Sequence, residues 1–327
     1  MTSGREFKSH RAKLPNFEPG KSLYDLGTFS GRLKHFLRVL DPRTLFISAQ
    51  YLKRCENMVK DWQVGSYSKN QELWDCQSTL EACTHPLSKS TIPIPFRMAA
   101  FVPVNVPIVF IMMQATSPGG VLFVHLLNQT YNSAVNFSNR SSGGAADTNQ
   151  VLQSYLLAVA TSCSLALGLG KLARKIPAAS PALFSYIAVS AAGTSNIIFS
   201  RQNELREGAS ISDSSGQYHG RSLIAGKNVV IQTAISRGVI FPLPVLILPH
   251  LIMRGLAKLT LLPTSPRFRL AVELTAITGS LAGALPVCMA LFPQTASYKA
   301  TDLEPKFHNL RDVQGRPILI FYANKGL

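Results

Sequence analysis

The sequence predicts an all-α, polytopic membrane protein with five to six transmembrane helices and an N-terminal helical segment that faces water. Only 15% of the 327 residues are charged and 46% are hydrophobic, whereas a soluble domain carries closer to about 25% charged residues. The mean hydropathy is +0.14, and the long apolar runs all lie after residue 97. Composition and clustering together therefore indicate a membrane class rather than a large soluble helical core.

Six apolar segments follow the N-terminal segment, and each has about 20 residues. At about 1.5 Å per residue this length matches a hydrocarbon core about 30 Å thick. The second segment is the most polar of the six, so the prediction is five or six full spans between an N-terminal segment at 1–97 and a C-terminal tail at 293–327. The predicted spans are 98–115, 120–138, 151–170, 182–200, 232–253 and 270–292.

The water-exposed parts carry their own local signals. Asp41-Pro42 is a helix-start pattern, because proline is favoured in the first turn. Apolar spacing predicts an amphipathic helix over 48–63 and a second short helix over 71–83. In the loop 201–226, the Asp-Ser-Ser-Gly sequence that starts at Asp213 is turn chemistry and predicts a small hairpin.

The net charge of +16 has a membrane interpretation here. The positive charges lie in the N-terminal segment and in the loops between apolar spans, where they match anionic lipid headgroups and topology signals better than nucleic acid. No phosphate-binding or dinucleotide loop is present, and the seven histidines and five cysteines lack the spacing of a zinc site or a CxxC pair. We therefore expect no catalytic site, no metal and no cofactor.

A stripe of amides marks the second apolar segment. At about 100° per residue its members fall within an arc of roughly 80° on one helix face. Unpaired amides are expensive inside a membrane, so the stripe serves either hydrogen bonds between helices or contact with a polar solute that crosses. The stripe consists of His125, Asn128, Asn132, Asn136 and Asn139.

Arg237 lies six residues inside the fifth predicted span. A charge at this depth marks a solute path or a buried ion pair, with snorkelling to the interface as the alternative. Its guanidinium can bind a carboxylate through two hydrogen bonds, and Glu273 in the last span is a possible internal partner. Asn196 in the fourth span is a further candidate for the path, with interhelical bonding as its alternative.

Several stretches of the chain, in combination and in order, resemble the sideroflexin family of mitochondrial inner-membrane carriers over nearly the whole length. The likeness is greatest to the fungal member and to the fifth animal paralogue. The matching stretches are TFSGRLKHF (28–36), DPRTLF (41–46), PFRM (95–98), LNQTYNSAVNFSNR (127–140), TAISR (233–237), LP (285–286), LFPQ (291–294) and NKGL (324–327).

The resemblance implies an inner-membrane protein with about five spans and no established bound cofactor. Well-studied members of the family are similar to importers of serine and related small amino acids, and the fifth animal type is linked to citrate. One family motif differs in this chain. Where the family usually reads His-Pro-Asp-Thr, this sequence has His85, Pro86, Leu87 and Ser88, so the acidic residue of the motif is lost.

The sequence therefore predicts a multi-pass carrier of the mitochondrial inner membrane for a small amino acid, serine or a related neutral one. Its site would be exposed alternately to the two sides of the membrane, with the asparagine stripe lining it and Arg237 near the carboxylate. The expected partners are this small solute and membrane lipid, and not nucleic acid. Two alternatives stay open: a tricarboxylate (citrate) carrier, and a non-transporting membrane scaffold or assembly factor.

Overall fold

The computed structural model describes residues 14–62, 70–86, 88–139, 148–175 and 181–324. Helices make up 68% of the structure. The helices of the N-terminal segment follow the sequence signals closely. They are α1 (Phe29–Val39), α2 (Ala49–Lys60) and α3 (Asn70–Cys83).

Side-chain caps fix where these N-terminal helices begin. The Thr28 hydroxyl accepts a hydrogen bond from the Gly31 N–H, and Ser48 caps α2 through the Tyr51 N–H in the same way. Asp41 precedes a short 3₁₀ helix at Pro42–Phe46, so the predicted helix start at Asp41-Pro42 is confirmed. The two predicted amphipathic helices are confirmed as α2 and α3.

Two buried arginines fix the position of this N-terminal segment, one through a bond to the apolar bundle and one through bonds within the segment. Arg32 donates from Nε to the Ala290 carbonyl at 2.7 Å. Arg97 donates to the carbonyls of Thr44 and Ile92 at 2.6 and 3.2 Å. The Arg32 guanidinium therefore holds the segment against the end of the last apolar helix, and the Arg97 guanidinium joins the chain before the first apolar helix to the 3₁₀ turn that contains Thr44.

Each of the six apolar segments overlaps a helix. By length and hydropathy, two stretches among the described residues qualify as membrane spans: the continuous helix Leu223–Lys258 and the helix Pro266–Ala290. The first apolar helix has only 14 residues, about 21 Å, which is shorter than a bilayer core. The count of five or six spans stays a prediction.

The helices are α4 (Phe101–Gln114), α5 (Pro118–Asn139), α6 (Thr148–Lys175), α7 (Pro181–Ser200), the short α8 (Gln202–Arg206), α9 (Leu223–Thr233), α10 (Pro242–Lys258) and α11 (Pro266–Ala290).

One unbroken helix runs from α9 to α10 and is longer than the span predicted at 232–253. It begins earlier because the Ser222 hydroxyl accepts from the Ala225 N–H and caps α9. Between α9 and α10 the helix widens into a π-helical turn at Ala234–Ile240, where the Phe241 N–H donates to Ser236 five residues back. Pro242 follows directly and has no N–H to donate, which favours irregular bonding in this turn.

The expectation of an all-α protein is confirmed only in part, because the described residues are mostly helical but also form a four-stranded antiparallel sheet. The loop strands β1 (Ala209–Ser212) and β2 (Tyr218–Ser222) confirm the predicted hairpin. The strands of the C-terminal tail are β3 (Thr295–Lys299) and β4 (Ile320–Asn324), and the order across the sheet is β2-β1-β4-β3. The sequence prediction missed β3 and β4 because their partners lie far away along the chain.

The hairpin turn is closed by one carboxylate. Asp213 accepts hydrogen bonds from the backbone N–H groups of Ser215 and Gln217 and from His219 Nε2 at 3.0 Å. Bonds from the Ser215 hydroxyl and from His219 hold the pKa of Asp213 below its ordinary value. Gly216 takes the positive φ of +84° that this turn requires.

The C-terminal tail also caps the long helix. Glu304 accepts from the N–H groups of Leu223 and Ile224, at 2.5 and 3.1 Å, in the first turn of α9. A carboxylate at this position satisfies free donors and interacts favourably with the helix dipole. The sheet region is thereby joined to the helix that carries Arg237.

We predict that Glu304→Ala destabilises the protein by about 1 kcal/mol, because two N–H groups at the start of α9 lose their acceptor. Thermal unfolding in detergent and hydrogen exchange over the first turn of α9 measure the effect. Asp302→Ala is the control, since Asp302 is exposed and its side chain accepts a hydrogen bond from neighbouring Thr301 rather than from the first turn of α9. Equal melting temperatures and exchange rates for the two variants would contradict the capping role.

Candidate functional site

A cavity of about 160 Å³ lies where the apolar helices converge. One part of its wall is polar and comes mainly from α5, and the rest is apolar and comes from α4, α10 and α11. Four of the five predicted stripe residues line it, together with Asn196 and Arg237. The polar lining consists of Asn105, His125, Asn128, Gln129, Asn132, Asn136, Ser162, Asn196 and Arg237.

A hydrogen-bond network connects the polar wall across three helices. His125 Nδ1 of α5 lies 3.1 Å from the hydroxyl of Ser162 in α6, and Gln129 donates to the same hydroxyl at 3.3 Å. Asn196 of α7 donates to Gln129 Oε1 at 2.9 Å. These four side chains are buried, so their mutual bonds satisfy polar groups that would otherwise be costly in an apolar bundle.

The asparagines of the stripe divide into two roles. Asn128 and Asn132 are half-buried, line the cavity and join through a 3.2 Å bond from Asn132 Nδ2 to Asn128 Oδ1. Asn139 does not line the cavity. Its amide donates to the carbonyls of Phe96 and Val135, both at 2.8 Å, so it holds the chain before α4 against the end of α5. The structure therefore groups the first four stripe residues and leaves Asn139 in a packing role.

Arg237 lines the cavity from the π-helical turn. Among the described residues, no carboxylate lies within ion-pairing distance of its guanidinium. The possible partner Glu273 makes no ion pair with it. A half-buried cation that no carboxylate of the described residues neutralises is suited to bind an anionic group from outside the chain.

The turn that carries Arg237 packs very closely on α7. A Cβ placed on Gly238 would lie 2.5 Å from the Thr194 hydroxyl and 3.0 Å from the Thr194 Cα. On the facing helix, a Cβ on Gly193 would lie 3.6 Å from the Gly238 Cα. Small residues at a helix crossing allow this approach, so the Gly193–Gly238 contact fixes how far Arg237 stands from α7.

Apolar side chains close the rest of the cavity. Phe101 and Phe241 pack edge to face with ring centres 5.8 Å apart, and Val245, Leu281 and Leu285 extend the same wall. Because this wall is apolar, an electrostatic contact made to Arg237 inside the cavity is less screened than one at the fully exposed surface.

The altered family motif lies outside this cavity. The Ser88 N–H donates to His85 Nδ1 at 3.2 Å, and the His85 N–H donates to the Ser90 carbonyl at 2.8 Å, closing a turn after α3. Pro86 belongs to the same turn, and Leu87 lies outside the described residues. None of His85, Pro86 and Ser88 lines the cavity.

Sequence reasoning missed three polar residues of the lining: Asn105, Gln129 and Ser162. A signal for Gln129 was present, because it lies four residues after His125 and three before Asn132, next to the stripe. No comparable pattern surrounds Ser162, whose role follows only from the packing of α6 on α5. Asn105 donates to the Phe101 carbonyl within α4 and resembles an ordinary helix residue in sequence.

Known proteins place the chain in one family. The family model of sideroflexins matches residues 18–327. The chain belongs to the sideroflexin family. This membership and the two long apolar helices indicate a membrane protein. Within the part of the chain that the structure describes, no group of three or more His, Cys, Asp or Glu side chains could hold a metal ion.

Curated relatives are similar over most of their lengths. A sideroflexin of Dictyostelium discoideum is 34% identical over 96% of this chain and 98% of its own. Human Sideroflexin-5 is 33% identical over 89% of both chains, and the Schizosaccharomyces pombe protein Sideroflexin fsf1 is 33% identical over 96% and 99%. No solved structure matches the chain.

We predict that Gly238→Ala destabilises the protein by about 1–3 kcal/mol, because the new methyl group forces the π-helical turn away from Thr194. Gly255→Ala in α10 is the matched control, since a Cβ there meets nothing within 4 Å. Alanine in that helix interior is neutral or stabilises by up to about 1 kcal/mol. Thermal unfolding in detergent compares the two, and an unchanged melting temperature for Gly238→Ala would refute the close contact.

Proposed function

We propose that this sideroflexin is a membrane carrier of a small amino acid, serine or a related neutral one, and that the cavity is its binding site. The observation that supports this most strongly is Arg237, a cation without a carboxylate partner among the described residues, facing a cavity whose polar wall is made of amides. The remaining arguments concern the charge, the donors and acceptors, and the size of the solute.

The positive charge of Arg237 favours a solute that carries a carboxylate. Charged groups inside a membrane protein are stabilised by pairing, and a guanidinium binds a carboxylate through two parallel hydrogen bonds. A bound amino acid would supply the anion that the described residues do not place beside Arg237. It would leave again on release, which a permanent internal ion pair with Glu273 would not allow.

The amide wall suits the other end of an amino acid. Asn and Gln carry both a donor and an acceptor. Asn128 and Asn132 can therefore accept a hydrogen bond from a solute ammonium group, and they can either donate to a solute hydroxyl or accept from it. The His125–Ser162–Gln129–Asn196 network behind them holds the wall in place. An amide wall replaces part of the hydration shell of a neutral zwitterion without adding a net charge.

The size of the cavity favours a small solute. A cavity of about 150 Å³ holds one benzene molecule, and the present cavity of about 160 Å³ is similar. Serine has about the same number of heavy atoms as benzene, whereas citrate has about twice as many and carries three carboxylates for one guanidinium lining this cavity. On both counts we favour the amino acid over the tricarboxylate.

The irregular helix around Arg237 suits alternating access. Carriers commonly build their sites on helices that are interrupted near the middle of the membrane. Here the π-helical turn is followed by Pro242, and Pro249 lies farther along α10. We place the carrier in the mitochondrial inner membrane with five or six spans, following the resemblance of its sequence to the carriers of that membrane.

We predict that Arg237→Gln raises the KM for serine uptake into reconstituted vesicles by about 10- to 100-fold, because a charged two-bond contact is lost. Arg237→Lys keeps the positive charge but cannot form the two parallel hydrogen bonds of a guanidinium, so it should raise the KM by an intermediate factor. Arg206→Gln is the control, since it removes an exposed arginine that does not line the cavity. Uptake by the wild type is measured over a panel of amino acids and tricarboxylates.

The panel separates the alternatives. Uptake of serine that responds to the Arg237 variants supports the proposal, and uptake of citrate alone would overturn the choice of solute. A correctly folded wild-type protein that moves no member of the panel would support a scaffold instead. Full serine uptake by Arg237→Gln would rule out the role of Arg237.

A second prediction separates lining from packing within the stripe. Asn132→Ala should raise the KM for serine by about 5- to 10-fold with little change in melting temperature, because a half-buried lining amide is removed. Asn139→Ala should lower the melting temperature without changing KM, because its bonds run to Phe96 and Val135. The reverse pattern would contradict the division of roles.

A further inference from the structure

A second concave surface lies apart from the carrier cavity, between α10 and α11. It is a groove of about 560 Å³, and none of its lining residues belongs to the cavity wall. Its walls are almost wholly apolar, and Thr275 satisfies its hydroxyl by donating to the Ala271 carbonyl at 2.8 Å. The apolar lining includes Leu248, Ile252, Pro263, Phe268, Val272 and Ala276.

The groove has the length of one lipid leaflet. It runs along α11 from Phe268, near the α10–α11 loop, to Ser280. Twelve residues at about 1.5 Å each give roughly 18 Å, slightly more than half of a hydrocarbon core about 30 Å thick. Both of its walls are the helices that qualify as membrane spans, so an extended acyl chain from one leaflet fits along the groove.

Positive charge surrounds the loop end of the groove. Two basic residues end α10 and two begin α11, and all four side chains are exposed. No ion pair involves any of them among the residues that the structure describes. Glu273 is the one acidic residue in α10, α11 and the loop between them. The four basic residues, here called the basic cluster, are Arg254, Lys258, Arg267 and Arg269.

Charge also argues against a second copy of this chain as the occupant. A parallel copy packed on the groove would bring its own basic cluster beside this one, and like charges repel. An anionic lipid does the opposite, because its phosphate neutralises the cluster while its chain covers the apolar walls. Juxtamembrane Lys and Arg residues each contribute measurably to such binding.

We propose that this groove binds one acyl chain of an anionic phospholipid whose phosphate is held by the basic cluster. The proposal is independent of the carrier function, because it uses none of the residues that line the cavity. It assigns the lipid a defined site on α10 and α11 rather than a general attraction to the membrane surface.

Native mass spectrometry of the purified, full-length protein tests this, with dioleoyl phosphatidylglycerol and dioleoyl phosphatidylcholine as probes. The wild type should retain one phosphatidylglycerol in clear preference to phosphatidylcholine. Gly279→Leu fills the open groove wall, where a Cβ meets nothing within 4 Å, and should reduce retention of both lipids at least fivefold. Gly283→Leu is the matched control, since Gly283 is equally open and lies outside the lining.

A second variant keeps the test decisive if Gly279→Leu does not fold. Arg267→Gln combined with Arg269→Gln should weaken phosphatidylglycerol binding by about 10- to 30-fold and leave phosphatidylcholine unchanged. Arg206→Gln combined with Lys299→Gln controls for the loss of two positive charges elsewhere. Equal retention of the two lipids by the wild type, or no response to the Arg267 and Arg269 changes, would overturn the proposal. So would a dimer that Gly279→Leu converts to a monomer.

Discussion

The structure depends above all on one constraint: Arg237 is a cation in the middle of an apolar helix. A lone charge in such a place must be neutralised, hydrated or held where an anion can reach it. Three local features meet this requirement together. The π-helical turn and Pro242 shape the segment, Gly238 lets it pack against Thr194, and α5 supplies most of the polar lining of the cavity next to it.

The same helix links the membrane region to the small sheet. α9, the π-helical turn and α10 form one continuous rod, and Glu304 of the C-terminal tail caps its first turn. The sheet brings together a loop hairpin and two tail strands that lie far apart in sequence. The Glu304 contacts therefore join the sheet region directly to the helix that carries Arg237.

Local signals in the sequence predicted much of this architecture. The helix start at Asp41-Pro42, the apolar runs and the turn chemistry at Asp213 depend on neighbouring residues, and the structure has a helix or a hairpin at each of them. The strands β3 and β4 and the role of Ser162 depend on partners far along the chain, which periodicity does not reveal. The amide stripe pointed to the cavity, but only packing separates Asn132, which lines it, from Asn139, which bonds to Phe96.

The central claim is that Arg237 recognises a solute carboxylate inside this cavity. Calorimetric titration of the purified protein in detergent with L-serine and with ethanolamine, which is serine without its carboxylate, tests it most directly. If Arg237 binds the carboxylate, serine binds the wild type saturably and ethanolamine does not bind at the same concentrations. Equal affinity for the two compounds would show that the guanidinium takes no part in recognition and would contradict the account.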